Sequence, residues 1–264
     1  MILLKKTLDY MERAKTMNIA VIFAGGTGQR MKCTKLPKQF LEMHGKPIII
    51  YTLEKFEFND NIDAIVIACV KEWIEYLEKL VNRFHISKVK KIVPGGETGQ
   101  MSIYNGLIAA KEVSVENRSN GESGDIVLIH DGVRPMIDDE TIIANIESVK
   151  KYGSAITSAK VTETIMVVEE DGAIKTIPDR NKSRVAKAPQ SFWLDEIIES
   201  HVNAQKEGIV NAIDSCTLMR QYKDDLHWID GPYNNIKITT ADDFYILRAL
   251  MDAKENEQIY VEKQ

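Results

Sequence analysis

The chain has 264 residues, of which 44% are hydrophobic, and a formal net charge of −5. This length can bury one large α/β core, and the acidic balance argues against a nucleic-acid partner, which would need a basic face. The three cysteines, Cys33, Cys69 and Cys216, lack CxxC spacing, so they indicate neither a disulfide framework nor a zinc site and favour a reducing cytoplasm. The longest apolar runs, such as residues 62–70, are far shorter than the about 20 residues that a membrane span needs.

The amino-terminal residues 1–16 are predicted to be an extension rather than a secretory signal, because lysines follow the apolar cluster and no small-residue cleavage site is present. They are expected to form a surface helix or to precede a true start at Met17. The apolar run from Asn18 to Ala24 then predicts a strand buried on both faces, and a glycine-rich loop ends it.

The next part of the chain alternates between helical and strand periodicity. Helices are predicted over residues 48–56, 73–84, 100–113 and from Asp138 or Asp139 to Tyr152, and strands over 64–70, 89–93 and 126–130, with a polar loop at 114–124. Such alternation is typical of a doubly wound, mostly parallel α/β sheet, which binds its ligands at the carboxyl ends of the strands. One domain is expected over residues 17–254, followed by a tail at 255–264.

The pattern changes after Gly153. Residues 163–168 and 173–177 have strand composition and flank the pair Asp171-Gly172, which predicts a β-hairpin. This hairpin would form a protruding β-arm at about residues 160–190. Helices at about 194–207 and 213–222, a strand over 235–239 and a closing helix over 240–253 complete the predicted elements.

A glycine-rich loop, Ala24-Gly-Gly-Thr-Gly-Gln-Arg-Met31, is the first candidate site. It is not a P-loop, because no Gly-Lys-Ser/Thr follows, and Met31 stands where a dinucleotide loop needs its third glycine. By itself the loop is as compatible with a structural turn as with a phosphate cradle. Arg30, together with Lys38 in Pro37-Lys38, favours the cradle, because both cations can reach the oxygens of a triphosphate during transfer.

The second candidate site is the end of the apolar run 126–130, where Asp131 and Arg134 follow directly. A carboxylate at a strand end can hold a divalent cation, which predicts Mg²⁺-dependent nucleotide chemistry at Asp131. The alternative is a surface salt bridge at the end of the strand. His130 is expected to pack or hydrogen-bond within the strand, since an attacking phosphate is already an anion and needs no base.

These motifs resemble those of the CTP-dependent polyol-phosphate cytidylyltransferases. From about residue 17 to 250 the matching segments are Ala24–Met31, Pro37-Lys-Gln-Phe-Leu41, Gly45-Lys-Pro-Ile48, Gly95-Gly96, His130-Asp-Gly-Val-Arg-Pro135, Asp179-Arg180, Pro189-Gln190 and Asn235-Ile-Lys-Ile-Thr239. The resemblance implies a Rossmann-like nucleotidyltransferase fold and the transfer of CMP from CTP to a polyol phosphate. Ala24-Gly25-Gly26, Pro189-Gln190-Ser191-Phe192 and Tyr233 favour ribitol 5-phosphate over 2-C-methyl-D-erythritol 4-phosphate.

The resemblance also implies the residues of the nucleotide site. Its nucleotide contacts would be Ala24, Gly25, Gly26, Gly28, Gly95, Gly96, Ser102, Asp131 and Gly132. Arg30 and Lys38 would be catalytic, with Lys38 stabilising the pentavalent α-phosphate, and Ser102 would read the base. Asp131 matches the Mg²⁺ ligand. Gly99 stands where the family usually has an arginine.

The polyol-phosphate side of the site is implied in the same way. Lys237 would be catalytic, reaching the substrate or the α-phosphate from the last strand, and Arg134 would brace the loop or contact phosphates. Thr164 and Arg180 on the arm would grip the polyol phosphate of a neighbouring subunit, which implies a homodimer. Asp214 resembles an acidic position at the edge of the site but would equally suit a helix N-cap.

Two other functions remain open at the level of sequence. A sugar-1-phosphate nucleotidyltransferase would share the glycine-rich loop, although Asp179-Arg180 and the segment around Lys237 argue against it. A nucleotide-binding subunit without turnover would share the fold, although it would not need Arg30, Lys38 and Asp131 together.

Overall fold

The computed structural model describes residues 16–25, 36–117 and 124–257. Eleven strands lie in these ranges: β1 (Asn18–Ala24), β2 (Glu42–Met43), β3 (Lys46–Pro47), β4 (Ala64–Cys69), β5 (Val89–Pro94), β6 (Ile126–Asp131), β7 (Ser154–Lys160), β8 (Val167–Val168), β9 (Ile174–Thr176), β10 (Arg184–Trp193) and β11 (Trp228–Asp230). Seven of them form one sheet in the order β11-β7-β10-β6-β1-β4-β5, while β2-β3 and β8-β9 form two small hairpins.

Seven α-helices in the described ranges accompany the strands: α1 (Ile48–Glu57), α2 (Ile74–Arg83), α3 (Gly99–Glu116), α4 (Asp139–Tyr152), α5 (Leu194–Lys206), α6 (Ser215–Met219) and α7 (Ala241–Glu257). Short 3₁₀ turns cover Lys38–Phe40, Lys71–Trp73 and Arg180–Lys182. None of the helices in the described part of the chain has the length and apolar character needed to cross a bilayer.

The helix α4 illustrates how local sequence sets the element boundaries. Asp138, rather than Asp139, is its N-cap, because the Asp138 carboxylate accepts a hydrogen bond from the Thr141 backbone N–H at 2.9 Å. The helix ends at Gly153, which takes a left-handed conformation with φ 78° that costs glycine little.

The large sheet is parallel except for β10, which is antiparallel to both of its neighbours, β6 and β7. The central strand β1 pairs with β4 on one side and with β6 on the other. Alternate side chains of these strands enter two hydrophobic clusters, one containing Ile22 and Leu128 and the other Val21 and Ile129. Burial on both faces explains the continuous apolar runs, and the predicted mostly parallel α/β sheet is confirmed.

The protruding arm is present as a hairpin. The strands β8 and β9 pair around Asp171-Gly172, where Gly172 has φ 87°, and they are shorter than the predicted runs 163–168 and 173–177. All residues from 162 to 177 are exposed. The hairpin therefore extends away from the hydrophobic core.

The predicted strand over residues 235–239 is wrong. These residues pair with no strand of the described chain, and a single backbone hydrogen bond, from Ile238 N–H to Val133 O at 3.1 Å, joins them to the loop after β6. The apolar alternation has another cause, because Ile236 and Ile238 pack with residues such as Ile48 in a third hydrophobic cluster. The predicted helix at 213–222 is also shorter, since α6 covers only Ser215–Met219.

Candidate active site

The candidate site lies where the carboxyl ends of the parallel strands meet. The Gly95 N–H donates to Cys69 O at 2.7 Å, which joins the residue after β5 to the end of β4. The Gly132 N–H donates to Phe23 O at 3.0 Å, which joins the residue after β6 to β1. The chain segments that carry the predicted nucleotide contacts are thus neighbours, as expected for ligand sites in doubly wound sheets.

Ser102, on the first turns of α3, brings three of the predicted glycines together. The Gly96 N–H donates to Ser102 Oγ at 3.0 Å, and this hydroxyl donates to Thr98 O at 2.9 Å. A Cβ atom on Gly25 or on Gly95 would lie 3.1 or 3.0 Å from Ser102 Oγ. Glycine at both positions therefore allows the two backbones to approach α3 closely, as a nucleotide-binding surface requires.

The start of α3 is tied to the loop after α5. Thr98 is the N-cap of α3 and accepts from the Met101 N–H at 3.1 Å. The Gln100 side chain donates to Ile209 O and accepts from the Ala212 N–H, both at 2.7 Å. A Cβ atom on Gly99 would meet nothing within 4 Å, so the position where the resemblance implies an arginine has room for a side chain.

Asp131 is the charged centre of the site. It ends β6 with a side chain only 6% exposed, and its two oxygens lie 2.5 Å from Lys237 Nζ and 2.7 Å from Arg134 Nε. Burial alone would raise the pKa of Asp131, but Lys237 and Arg134 outweigh it and hold the pKa at about 2. The carboxylate is therefore ionised at neutral pH, the form in which it can bind a hard cation.

Lys38 contacts the segment that carries Lys237. It opens a 3₁₀ turn after Pro37, and its Nζ donates to Ile238 O at 2.8 Å. The next residue, Gln39, is buried and donates from Nε2 to Ala24 O at 2.8 Å, which fixes this turn to the end of β1. Lys38 and Lys237 therefore lie on segments that touch each other, although the sequence separates them widely.

A cavity of about 300 Å³ opens beside Asp131. Arg134, Lys187 and Lys237 contribute the cationic part of its lining, and Asp214 adds a second carboxylate. Sequence analysis missed Lys187, which lies two residues before the motif Pro189-Gln190 and outside it. Three cations with two carboxylates suit an anionic ligand such as a phosphate ester.

Gln190 and Asp214 shape the other wall of this cavity. Asp214 is the N-cap of α6, accepting from the Thr217 N–H at 2.8 Å, and its other oxygen accepts from Gln190 Nε2 at 2.9 Å. The N-cap role that sequence analysis left open is therefore present, at a position that also lines the cavity. Gln190 Oε1 accepts from the Cys216 N–H at 2.7 Å and braces the same turn.

His130 is fully buried behind the site rather than exposed in it. Its Nε2 lies 3.0 Å from Arg134 O, and its ring packs edge-on against Phe56. Burial lowers the pKa of His130 to about 4, so the imidazole is neutral at pH 7. Its contacts are those of a structural residue, as the sequence suggested.

The remaining predicted residues are divided between the arm and segments outside the described chain. Thr164 and Arg180 are exposed on the arm, where Arg180 donates to Thr162 O at 3.3 Å, and neither lines the cavity beside Asp131. The predictions for Gly26, Gly28 and Arg30 lie outside the described residues.

The chain is similar in sequence to known cytidylyltransferases. A family model described as IspD, 2-C-methyl-D-erythritol 4-phosphate cytidylyltransferase, matches residues 18–253. A ribitol-5-phosphate cytidylyltransferase of Streptococcus agalactiae serotype Ia is 53% identical over 92% of this chain and 99% of its own length. The ribitol-5-phosphate cytidylyltransferase of Vibrio parahaemolyticus is 52% identical over 92% and 100% of the two chains. A 2-C-methyl-D-erythritol 4-phosphate cytidylyltransferase of Clostridium acetobutylicum is 39% identical over 89% and 97%.

Solved structures resemble the chain in fold. A 4-diphosphocytidyl-2C-methyl-D-erythritol synthase of Anaerococcus prevotii aligns with a TM-score of 0.75 at 23% identity, covering 90% of this chain and 96% of that one. A 2-C-methyl-D-erythritol 4-phosphate cytidylyltransferase of Francisella tularensis aligns with a TM-score of 0.69 at 23% identity, covering 89% and 99%. These similarities confirm the nucleotidyltransferase fold predicted from the sequence.

Proposed function

Since the chain belongs to the 2-C-methyl-D-erythritol 4-phosphate cytidylyltransferase family, we propose that it transfers CMP from CTP to ribitol 5-phosphate, giving CDP-ribitol and pyrophosphate. The observation that carries this choice is the identity of 53% and 52% to the ribitol-5-phosphate cytidylyltransferases of Streptococcus agalactiae and Vibrio parahaemolyticus, against 39% to the methylerythritol enzyme of Clostridium acetobutylicum. The cavity beside Asp131 supports a phosphate-bearing substrate, because cations predominate among its charged lining residues.

In the proposed reaction, a phosphate oxygen of ribitol 5-phosphate attacks the α-phosphorus of CTP. The bond from the α-phosphorus to the bridging oxygen breaks, and pyrophosphate leaves with the bonding electrons. Lys38 and Lys237 lie on touching segments and would stabilise the charge on the α-phosphate oxygens, together with Arg30 as the resemblance implies. His130 is not needed as a base, because the attacking phosphate is already an anion.

The residues present fit a Mg²⁺ ion. Mg²⁺ in nucleotide enzymes is commonly bound by one or two carboxylates together with substrate phosphates. Asp131 supplies one carboxylate that is ionised at neutral pH, at the strand end where the triphosphate would lie. When bound, the ion would neutralise phosphate charge. Asp131 would hold it, while Arg134 keeps the orientation of that carboxylate by its hydrogen bond to Oδ2.

A panel of substrates tests the proposal. Purified protein is incubated with CTP and Mg²⁺ and, separately, ribitol 5-phosphate, 2-C-methyl-D-erythritol 4-phosphate or a sugar 1-phosphate, and CDP products and pyrophosphate are measured. We expect the highest kcat/KM with ribitol 5-phosphate. A preference for methylerythritol phosphate would support the alternative substrate. Pyrophosphate release with none of the acceptors would support a nucleotide-binding subunit without turnover. The variant Lys38→Ala is the control for contaminating activity.

We also infer a homodimer in which the arm completes the neighbouring site. The arm exposes apolar side chains, among them Met166, Val168 and Ile174, each more than half exposed, and a second copy of the chain would cover them. Thr164 and Arg180 would then contact the polyol phosphate held mainly by the other subunit. A cytoplasmic location agrees with the free thiols of Cys69 and Cys216.

Mixing two inactive variants tests the shared site. Arg180→Ala subunits and Lys38→Ala subunits are unfolded together and refolded, and heterodimers are isolated by two different affinity tags. One of the two sites in each heterodimer would contain both intact residues, so partial activity should return. Heterodimers without activity, or a monomer by sedimentation at assay concentration, would contradict this arrangement.

A further inference from the structure

The segment that carries Lys237, residues 233–239, is held as a strap outside the sheet. Two fully buried side chains, Asn235 and Ile238, fix it on either side of the lysine. The Asn235 side chain donates from Nδ2 to Ala188 O at 2.9 Å, and the Ile238 N–H donates to Val133 O at 3.1 Å. Because Lys237 lies between these two anchors, the position of its Nζ depends on how firmly they are held.

The backbone carbonyls of this strap accept hydrogen bonds from cationic side chains. Asn235 O accepts from Arg134 Nη1 at 2.9 Å and from Lys187 Nζ at 3.3 Å. Ile238 O accepts from Lys38 Nζ at 2.8 Å. A phosphate group entering the site would compete for Arg134 and Lys38, since the resemblance implies that both can contact phosphates. Lys187 also lines the cavity, but it is the one of these three donors that the resemblance does not assign to a phosphate.

Lys187 makes a further contact that no other of these cations makes. Its Nζ donates to Tyr233 O at 2.8 Å, two residues before Asn235, so the ammonium group joins two carbonyls of the strap to strand β10. The neighbouring residue in β10, Ala188, accepts the hydrogen bond from the Asn235 side chain. Three hydrogen bonds therefore attach the amino-terminal end of the strap to two adjacent residues of β10, in the stretch where its pairing with β7 shifts register.

The placement of Lys187 is electrostatically unfavourable. It lies half-buried beside the Arg134 guanidinium, and burial followed by this like charge lowers the pKa of Lys187. None of the acidic side chains in the described part of the chain forms a salt bridge with it within 4.0 Å. The hydrogen bonds to Tyr233 O and Asn235 O therefore offset the cost of partly burying the Lys187 ammonium group without a carboxylate partner.

We propose that Lys187 is a positioning residue of the cytidylyltransferase site, which holds the strap so that Lys237 Nζ lies beside Asp131 and can reach the transferring phosphate. The inference rests on the proposed function. Lys187 would act on the reaction only through Lys237. Its removal should therefore impair the chemical step and have little effect on substrate binding, because Arg134, Asp131 and Lys38 stay in place.

A double-mutant cycle between Lys187→Met and Lys237→Met tests this role, with kcat and KM measured for CTP and for the acceptor that the wild type uses best. We expect Lys187→Met to lower kcat about 10- to 100-fold, as small misplacements of catalytic groups do, with each KM within about threefold of wild type. In the Lys237→Met background the same substitution should change kcat by less than about twofold. Lys187→Arg, which keeps donors to the carbonyls, should restore much of the activity.

The matched control is Lys111→Met, which removes a lysine of similar exposure that pairs with Asp195 at 2.5 Å on α5. Its kcat should equal that of the wild type. Thermal unfolding is followed for every variant, and Lys187→Gln replaces Lys187→Met if the latter fails to fold.

Several results would overturn the assignment of Lys187. These are an equal loss of kcat in both backgrounds, a rise in the acceptor KM at constant kcat, or an unchanged kcat. A rise in the acceptor KM would instead indicate direct phosphate binding. Failure of the proposed function is recognised separately, because it would appear as wild-type protein that prefers another acceptor or none. The double-mutant cycle is then measured with the preferred acceptor. If no acceptor reacts, CTP binding is measured instead, and a loss of CTP affinity greater than threefold in Lys187→Met would refute the role.

Discussion

The buried imidazole of His201 predicts how the stability of this protein depends on pH. His201 lies on α5 with 1% of its surface exposed, and neither ring nitrogen has a hydrogen-bond partner among the described residues. Its ring stacks on Tyr104 with centroids 5.8 Å apart. Burial lowers the pKa of His201 to about 4, so the folded protein keeps this side chain neutral.

The size of the effect follows from the difference between the two pKa values. In the unfolded chain His201 should titrate near its ordinary pKa of about 6.5. The unfolded chain then binds the proton more tightly, so stability is lost as the pH falls from about 6.5 towards about 4. The difference corresponds to about 3 kcal/mol when the group is protonated in both states, and to about 2 kcal/mol at pH 5.

Urea unfolding of wild type and His201→Leu at pH 7.5 and pH 5.0 measures this contribution. Leucine removes the titratable group and keeps a similar volume, so between the two pH values the wild type should lose about 2 kcal/mol more than the variant. Other titrating groups are common to both proteins and cancel. The control His85→Asn changes an exposed histidine with φ 55°, a conformation that asparagine tolerates. An equal loss of unfolding free energy between pH 7.5 and pH 5.0 in His201→Leu and in wild type would refute the reasoning.

Two predictions concern the reaction itself. Lys38→Ala should lower kcat by ~10²–10³-fold with a much smaller change in CTP affinity, because the charge acts mainly on the transition state; steady-state kinetics would contradict this if turnover stayed within a few-fold of wild type. Asp131→Asn should reduce activity steeply and shift the Mg²⁺ titration to higher concentration, since an amide is a poorer ligand for a hard cation than a carboxylate. A Mg²⁺ titration identical to that of wild type would remove Asp131 from the metal site.

The strands at the centre of the sheet were predictable because their environment is simple. Residues 18–24, 64–69 and 126–131 are buried on both faces, so their sequences are nearly continuous apolar runs. The boundaries of α4 were predictable for a local reason, since an acidic cap and a terminal glycine lie within its own sequence. Asp131 and Arg134 were predictable as site residues because ligands of doubly wound sheets bind at the carboxyl ends of the strands.

The strands β7 and β10 were not predicted, because polar residues in them are satisfied by distant parts of the chain. Ser158 in β7 donates to Ile229 O at 3.1 Å, and Ser191 in β10 donates to the Asn145 side chain at 2.8 Å. A short stretch of sequence does not show which distant residues will satisfy its polar groups. Lys187 was missed for the same reason, since its contacts are with the loop around Tyr233 and Asn235.

The order of strands in the sheet has a consequence for synthesis of the chain. β1 pairs with β4 along one edge. Its other edge stays unpaired until β6 has been synthesised, because that edge pairs with β6 from Ile126, opposite Asn18, onwards. A ribosome adds about 5–20 residues per second, so this edge stays open for roughly ten seconds while the intervening segment is made. An open, apolar strand edge is a template for pairing with other chains. Nascent chains that stall before β6 should therefore be the most aggregation-prone species, and the ones most in need of a chaperone.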